Sequence, residues 1–245
     1  MPTPFTAVRR QPLSESVYRQ LEERIVRQEL VAGAELPAER ALAEQLGVNR
    51  GAVREAIKRL QQAGLVAVRH GGNHVVKDYL QEGGLELLPS LLVNPKGNLN
   101  GPVVRSILAM RSSLAPDIAA AAARKPNPAL ADALDAIVGQ MRGQRADLKA
   151  LQNHALEFWR RLVEHGGNVA FRLAFNSMAR TYAQVWNVLT GVLAAEFRDL
   201  DNLGGIASAV RSGNAEAARN AGRAHVEIGR RAVEKALDAV GVRDD

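Results

Sequence analysis

Two arginines four residues apart, Arg50 and Arg54, follow directly on Asn49 and share one face of any helix that contains them. Guanidinium forks on one face suit guanine edges or phosphate oxygens, because each fork presents parallel N–H donors in a plane. From position 48 to 77 the cations Arg50, Arg54, Lys58, Arg59, Arg69 and Lys77 stand against Glu55 alone, in a chain of formal net charge +6. Such a concentrated basic stripe is the footprint expected for a polyanion such as DNA; a solvated basic helix is the competing reading. Ion pairing competes as well, since Arg40 has Glu39 and Glu44 within a turn and Arg54 has Glu55 beside it. No nucleophile elbow, phosphate-binding loop or paired metal motif occurs, so the expectation is a protein that binds and is not an enzyme.

The elements around these residues follow from period and punctuation. A first helix should begin at Ser14, with Glu15 in its first turn, carry Val17, Leu21 and Ile25 as an apolar stripe, and end near Glu29. Leu36-Pro37 sets up a second, short helix with Glu39 in its first turn and Leu42 and Leu46 on one face; Gly47 closes it. Asn49 caps a third helix whose buried side is Val53, Ile57 and Leu60. After Gly64 the period changes to two, and residues 65–69 and 74–77 read as strands around His70-Gly71-Gly72-Asn73, a turn of residues that tolerate positive φ. Helix, short helix, glycine turn, basic helix and hairpin are the sequence form of a winged helix-turn-helix. In that arrangement the third helix enters the major groove and the hairpin reaches neighbouring backbone or minor groove.

Behind this module, Gly83-Gly84, Pro89, Pro95, Gly97 and Gly101-Pro102 interrupt an apolar stretch, which reads as a linker with a short helix. The rest is rich in alanine and leucine at helical spacing, with helices expected over 103–124, 128–142, 146–165, 168–190, 194–212 and 215–240. Helices joined by short loops make an antiparallel bundle. The expected fold is therefore mainly α: a winged helix-turn-helix over 1–79, a linker over 80–101 and an all-α bundle over 102–245. No apolar run approaches the roughly 20 residues a bilayer requires, and nothing at residues 1–11 reads as a secretory signal. The chain has no cysteine. These features fit a reducing cytoplasm and no membrane partner.

The segments Leu36-Pro37-Ala38-Glu39-Arg40, Leu42-Ala43-Glu44-Gln45-Leu46-Gly47-Val48 and Arg50-Gly51-Ala52-Val53-Arg54-Glu55-Ala56-Ile57 closely resemble the GntR family of bacterial regulators over residues 14–77. The resemblance implies operator contacts from Arg40, Asn49, Arg50, Gly51, Ala52 and Arg54, with His70 and Gly71 at the wing tip. Arg50 and Arg54 rank first as contacts to base or phosphate, while Gly51 and Ala52 allow close approach. His70, in a glycine turn, also reads as a solvated loop residue. The implied partner is a double-stranded, roughly palindromic operator bound by a homodimer, commonly as a repressor.

The remaining chain resembles the FadR branch of that family, whose FCD-type sensing domain is a helical bundle. Many members bind a metal through one aspartate and three histidines. Here the corresponding positions hold Ala155, Trp159, Leu203 and His225, and His154 is one residue out of register, about 100° around a helix. One imidazole does not make a site that needs three or four ligands, so no metal and no other cofactor are expected. Loss of the metal with an aromatic in its place is similar to the fatty-acid-responsive members of the branch. That likeness implies a small effector held near Arg111, Trp159, Asn176, Tyr182 and His225, with a long-chain acyl-CoA favoured and a small carboxylate metabolite as the alternative. Trp159, Phe171, Phe175 and Trp186 would line an apolar pocket or belong to ordinary core; both readings stand.

Overall fold

The computed structural model describes residues 12–69, 73–93 and 98–240. Two units divide the chain, Met1–Gly97 and Asn98–Asp245. The first runs α1 (Leu13–Val26), α2 (Glu39–Leu46), α3 (Arg50–Gln62), β1 (Val66–Val68), β2 (His74–Val76), α4 (Tyr79–Glu82), a 3-10 turn (Leu85–Leu87) and α5 (Leu88–Leu91). Helix α1 starts one residue before the expected Ser14 cap: Pro12 precedes it and no side chain caps it. It also stops short of Glu29, because Gln28 turns to φ +61. Gly47, at φ +65, supplies the left-handed turn between α2 and α3 that a side chain would strain.

The core of this unit forms where one face of α1 (Val17, Leu21, Ile25) meets one face of α3 (Val53, Ile57, Leu60), closed by Leu42, Leu65, Val66 and Val76. Each such aliphatic side chain contributes about 1.5 to 3 kcal/mol on burial. Strands β1 and β2 pair antiparallel with Val66 opposite Val76 and Val68 opposite His74, and Glu35 adds a bridge to Val75. Within the stretch expected as a linker with a short helix, α4, the 3-10 turn and α5 are described, and α5 packs against α1. Leu87 is buried within the core, Leu91 lies against it, and Ser90 donates a hydrogen bond to the Glu22 carboxylate at 2.9 Å.

Among its described residues the second unit is built of the helices α6 (Gly101–Ala123), α7 (Pro128–Gly143), α8 (Leu148–Gly166), α9 (Val169–Gln184), α10 (Trp186–Val192), α11 (Ala194–Phe197), α12 (Leu200–Ser212) and α13 (Ala215–Ala239). Asparagine or aspartate caps each long helix: Asn100, Asn127, Asp147, Asn168, Asp199 and Asn214 all accept a backbone N–H in the first turn. Helix α13 packs along α6 and α12, α12 packs on α7, and α8 closes against α6 and α7. Gly222 lets α13 approach α6, since a methyl group there would lie 3.2 Å from the Ala119 methyl.

Two helices expected to be continuous are broken. The span 168–190 divides at Val185 into α9 and α10, where no glycine or proline marks the break. The span 194–212 divides because Asp199 folds its carboxylate back onto the Asn202 amide and starts α12 afresh. Among the described residues no helix is long and apolar enough to cross a membrane.

Candidate nucleic-acid interface and interior polar cluster

Helix α3 presents its basic residues because its apolar ones are spoken for by α1. With Val53, Ile57 and Leu60 facing inward, helical geometry turns Arg50, Arg54 and Lys58 outward, and all three are exposed. The Asn49 side chain accepts the Ala52 N–H at 2.9 Å, so Asn49 fixes the first turn on which Arg50, Gly51 and Ala52 sit. A methyl group at Gly51 would come within 3.2 Å of the Asn49 side-chain oxygen, so glycine keeps that turn uncrowded.

The charges sort into paired and unpaired. Arg54 donates to Glu39 from Nε and Nη2 at 3.2 and 3.1 Å, across the turn from α2, and not to the adjacent Glu55. Lys58 takes Glu55 instead, at 3.0 Å. Arg40 stands 3.8 Å from Glu44, with both side chains more than 70% exposed. Lys77 pairs with Glu82 at 2.5 Å. Arg59 turns inward, bonding Glu15 at 2.6 Å with its guanidinium 4.2 Å from the Tyr18 ring centroid, and so ties α3 to α1. Arg59 and Arg19 hold the Glu15 carboxyl below its ordinary value of 4.5. Among the described residues Arg50 and Arg69 form no ion pair, leaving Arg50 the free guanidinium on the face of α3. The wing-tip positions His70 and Gly71 lie outside the described residues.

The second candidate lies inside the bundle. Arg111 on α6 donates two parallel hydrogen bonds to Glu196 on α11, one of them at 2.8 Å from Nη1 to Oε2. Glu196 is 2% exposed. Burial works against the Arg111 charge, but the facing carboxylate more than offsets it and the pKa is raised. His225 on α13 is fully buried between two acids, with Nδ1 2.9 Å from Asp199 Oδ2 and Nε2 3.7 Å from Glu196 Oε1. Burial alone would raise the Asp199 pKa; the bonds from His225 and Asn202 outweigh it and lower it. Tyr182 feels Arg111 and Glu196, and burial pushes its hydroxyl well above the ordinary 10.0. Thr190 donates to Gln152 Oε1 at 2.6 Å. The Trp159 ring lies 6.1 Å from the His225 ring, tilted 35°. Trp159 Nε1 and His225 Nε2 are both buried with no hydrogen-bond partner.

Of the five effector residues expected from the sequence, Arg111, Trp159, Tyr182 and His225 therefore gather at one cluster. Asn176 does not; it is exposed on α9, because the face of α9 that carries Ser177 and Thr181 is the buried one. Phe171 and Phe175 are half-buried, and the side chain of Trp186 lies outside the described residues. Glu196 and Asp199 were not anticipated. Asp199 has a sequence signal, an aspartate three residues before Asn202 at a helix start, whereas Glu196 has none, since its partner stands 85 positions away. Of the four positions at which the resemblance implies metal ligands, Ala155, Trp159 and Leu203 carry no metal-ligating atom. Among the described residues no group of three histidine, cysteine or carboxylate side chains is placed to hold an ion.

Residues 13–76 match the family described as bacterial regulatory proteins, gntR family, and residues 106–228 match the FCD domain. The HTH-type transcriptional regulator Mce2R of Mycobacterium tuberculosis (strain CDC 1551 / Oshkosh) is 37% identical over 90% of this chain and 91% of its own length. The fatty acid metabolism regulator protein of Edwardsiella ictaluri (strain 93-146) is 29% identical over 62% of each. A solved structure of Lar, which controls expression of the Listeria monocytogenes agr system, superposes with a TM-score of 0.57 at 18% identity, covering 93% of this chain and 99% of that one. A likeness at that identity speaks to the fold alone.

Proposed function

The chain belongs to the GntR family of bacterial transcriptional regulators, DNA-binding proteins and not enzymes, with an FCD effector-binding domain behind its winged helix-turn-helix, and from that membership we propose how it reads DNA and what it senses. Helix α3 enters the major groove of a roughly palindromic operator, two copies of the chain supplying the two half-sites. Arg50 and Arg54 contact base edges or phosphates, Arg40 contacts backbone, and the small Gly51 and Ala52 permit close approach. The observation that carries this reading is the outward face of α3, where among the described residues Arg50 is held by no acid and Arg54 by one surface pair that a phosphate can displace at small cost.

The interior cluster is read as the effector site, working without a metal or other cofactor. A long-chain acyl-CoA is the favoured effector, a reading supported by likeness to a protein named for fatty acid metabolism. Binding that favours one arrangement of the bundle would bias operator affinity by the same free energy.

Fluorescence anisotropy on operator fragments selected from a random duplex pool tests the first part at fixed salt. Arg50→Ala and Arg54→Ala should each weaken specific binding by about 1 to 3 kcal/mol. Unchanged affinity in both variants would remove α3 from the interface. Differential scanning fluorimetry with palmitoyl-CoA, citrate and zinc tests the second, with stabilisation expected from palmitoyl-CoA alone; stabilisation by stoichiometric zinc would refute the metal-free site.

A further inference from the structure

The interior cluster carries its own counter-charges, and their balance bears on what enters. Arg111, the cation there, is already satisfied on two nitrogens by the Glu196 carboxylate. His225 is flanked by Asp199 and Glu196. If the imidazole is protonated the four groups sum to neutrality; if it is not, the sum is negative. Neither state leaves a positive charge for an incoming anion. A carboxylate brought into this interior would lose its water and meet two existing carboxylates, which is strongly unfavourable without a cation to pair it.

What the cluster does leave open is hydrogen bonding. Among the described residues Trp159 Nε1 carries a proton and no acceptor, on a residue 8% exposed, and the fully buried His225 makes no hydrogen bond from Nε2, with Glu196 Oε1 3.7 Å away. The centroids of the two rings lie 6.1 Å apart. Buried polar atoms without partners are rare in folded proteins and point to a missing ligand or water. We infer that the cluster around Trp159 and His225 accepts an uncharged, hydrogen-bonding head group, such as a thioester or amide carbonyl or an alcohol, and rejects a free carboxylate because Glu196 already occupies Arg111. The inference rests on reading the cluster as the effector site and selects among the ligands that reading admits.

The test holds the hydrocarbon tail constant and varies the head. Full-length protein is titrated at pH 8 with palmitoyl-CoA, palmitamide, hexadecanol and palmitate, each below its aggregation limit, and with citrate, following tryptophan fluorescence and melting temperature. Palmitamide and hexadecanol should bind at least ten-fold more tightly than palmitate, and citrate should produce no shift. Palmitoyl-CoA binding without palmitamide or hexadecanol binding would place recognition in the CoA moiety and overturn the inference. Glu196→Gln, which frees Arg111 of its counter-charge, should bring palmitate to within about three-fold of palmitamide. Should that variant not fold, Trp159→Phe keeps the ring, removes the donor, and should weaken palmitamide about ten-fold while leaving palmitate unchanged. Palmitate binding as well as palmitamide in the unaltered protein would overturn the head-group inference but leave the effector site standing. Binding of none of the five would remove the effector site itself.

Discussion

Gly229 on α13 stands directly against the Glu196 carboxylate: a methyl group built at Gly229 would overlap Oε2 and press on the Leu193 side chain. The closeness that lets Glu196 reach Arg111 thus depends on a position with no side chain. Gly229→Ala should therefore destabilise the bundle by about 1 to 3 kcal/mol through overpacking, despite alanine's better helix propensity. Urea denaturation followed by circular dichroism reads this directly; a stabilised variant would show that Glu196 has another place to go.

Arg59 is a structural cation inside a basic stripe. Replacing it with methionine keeps the stem but removes the Glu15 bond and the Tyr18 contact, at a cost of about 1 kcal/mol to the first unit. Its effect on DNA should be distinct from that of Arg50. Arg50→Ala should flatten the dependence of log affinity on log salt by about one unit, as expected for a lost phosphate contact, and Arg59→Met should leave that slope alone.

The same pair sets a pH dependence. The Glu15 carboxyl is lowered in the folded chain, so its contribution to stability is complete above its unfolded value near 4.5 and is lost as pH falls through the folded value. Between pH 6 and pH 3 the melting temperature of Arg59→Met should accordingly fall less steeply than that of the unaltered protein. Parallel curves would mean that Glu15 gains nothing from Arg59.

Glu39 competes with DNA for Arg54. Glu39→Gln removes a carboxylate that both holds the guanidinium and repels phosphate, so operator affinity at low salt should rise by about 0.2 to 1 kcal/mol, the range of an exposed ion pair. In an Arg54→Ala background the gain should shrink. A loss of affinity on Glu39→Gln alone would instead make Glu39 the residue that positions Arg54.

The winged unit was legible because its signals are local. Asn49 capping α3, Gly47 at positive φ and the inward Val53, Ile57 and Leu60 all follow from residue types within a turn of one another. What escaped the sequence was pairing at a distance: that Arg54 bonds Glu39, that Arg59 faces inward, and that Glu196 meets Arg111 are decided by tertiary packing, for which spacing offers no pattern. The segment over 80–101, expected as a linker with a short helix, carries short helices whose packing is set at a distance. Its glycines and prolines read as linker, yet Leu87 finds a place in the core that no local signal announces. In the bundle, Arg111, Trp159, Tyr182 and His225 lie together, while Asn176, on the same helix as Tyr182, lies six residues and most of two turns away on the exposed side.

Asp199 serves two masters with one carboxylate, terminating the break before α12 through Asn202 and holding the His225 imidazole. Both bonds meet at Oδ2 of Asp199. A molecule that tugs on the imidazole therefore tugs on the opening turn of α12, a helix wedged against both α7 and α13. One carboxylate thus joins the buried ring on α13 to the start of the helix that follows it.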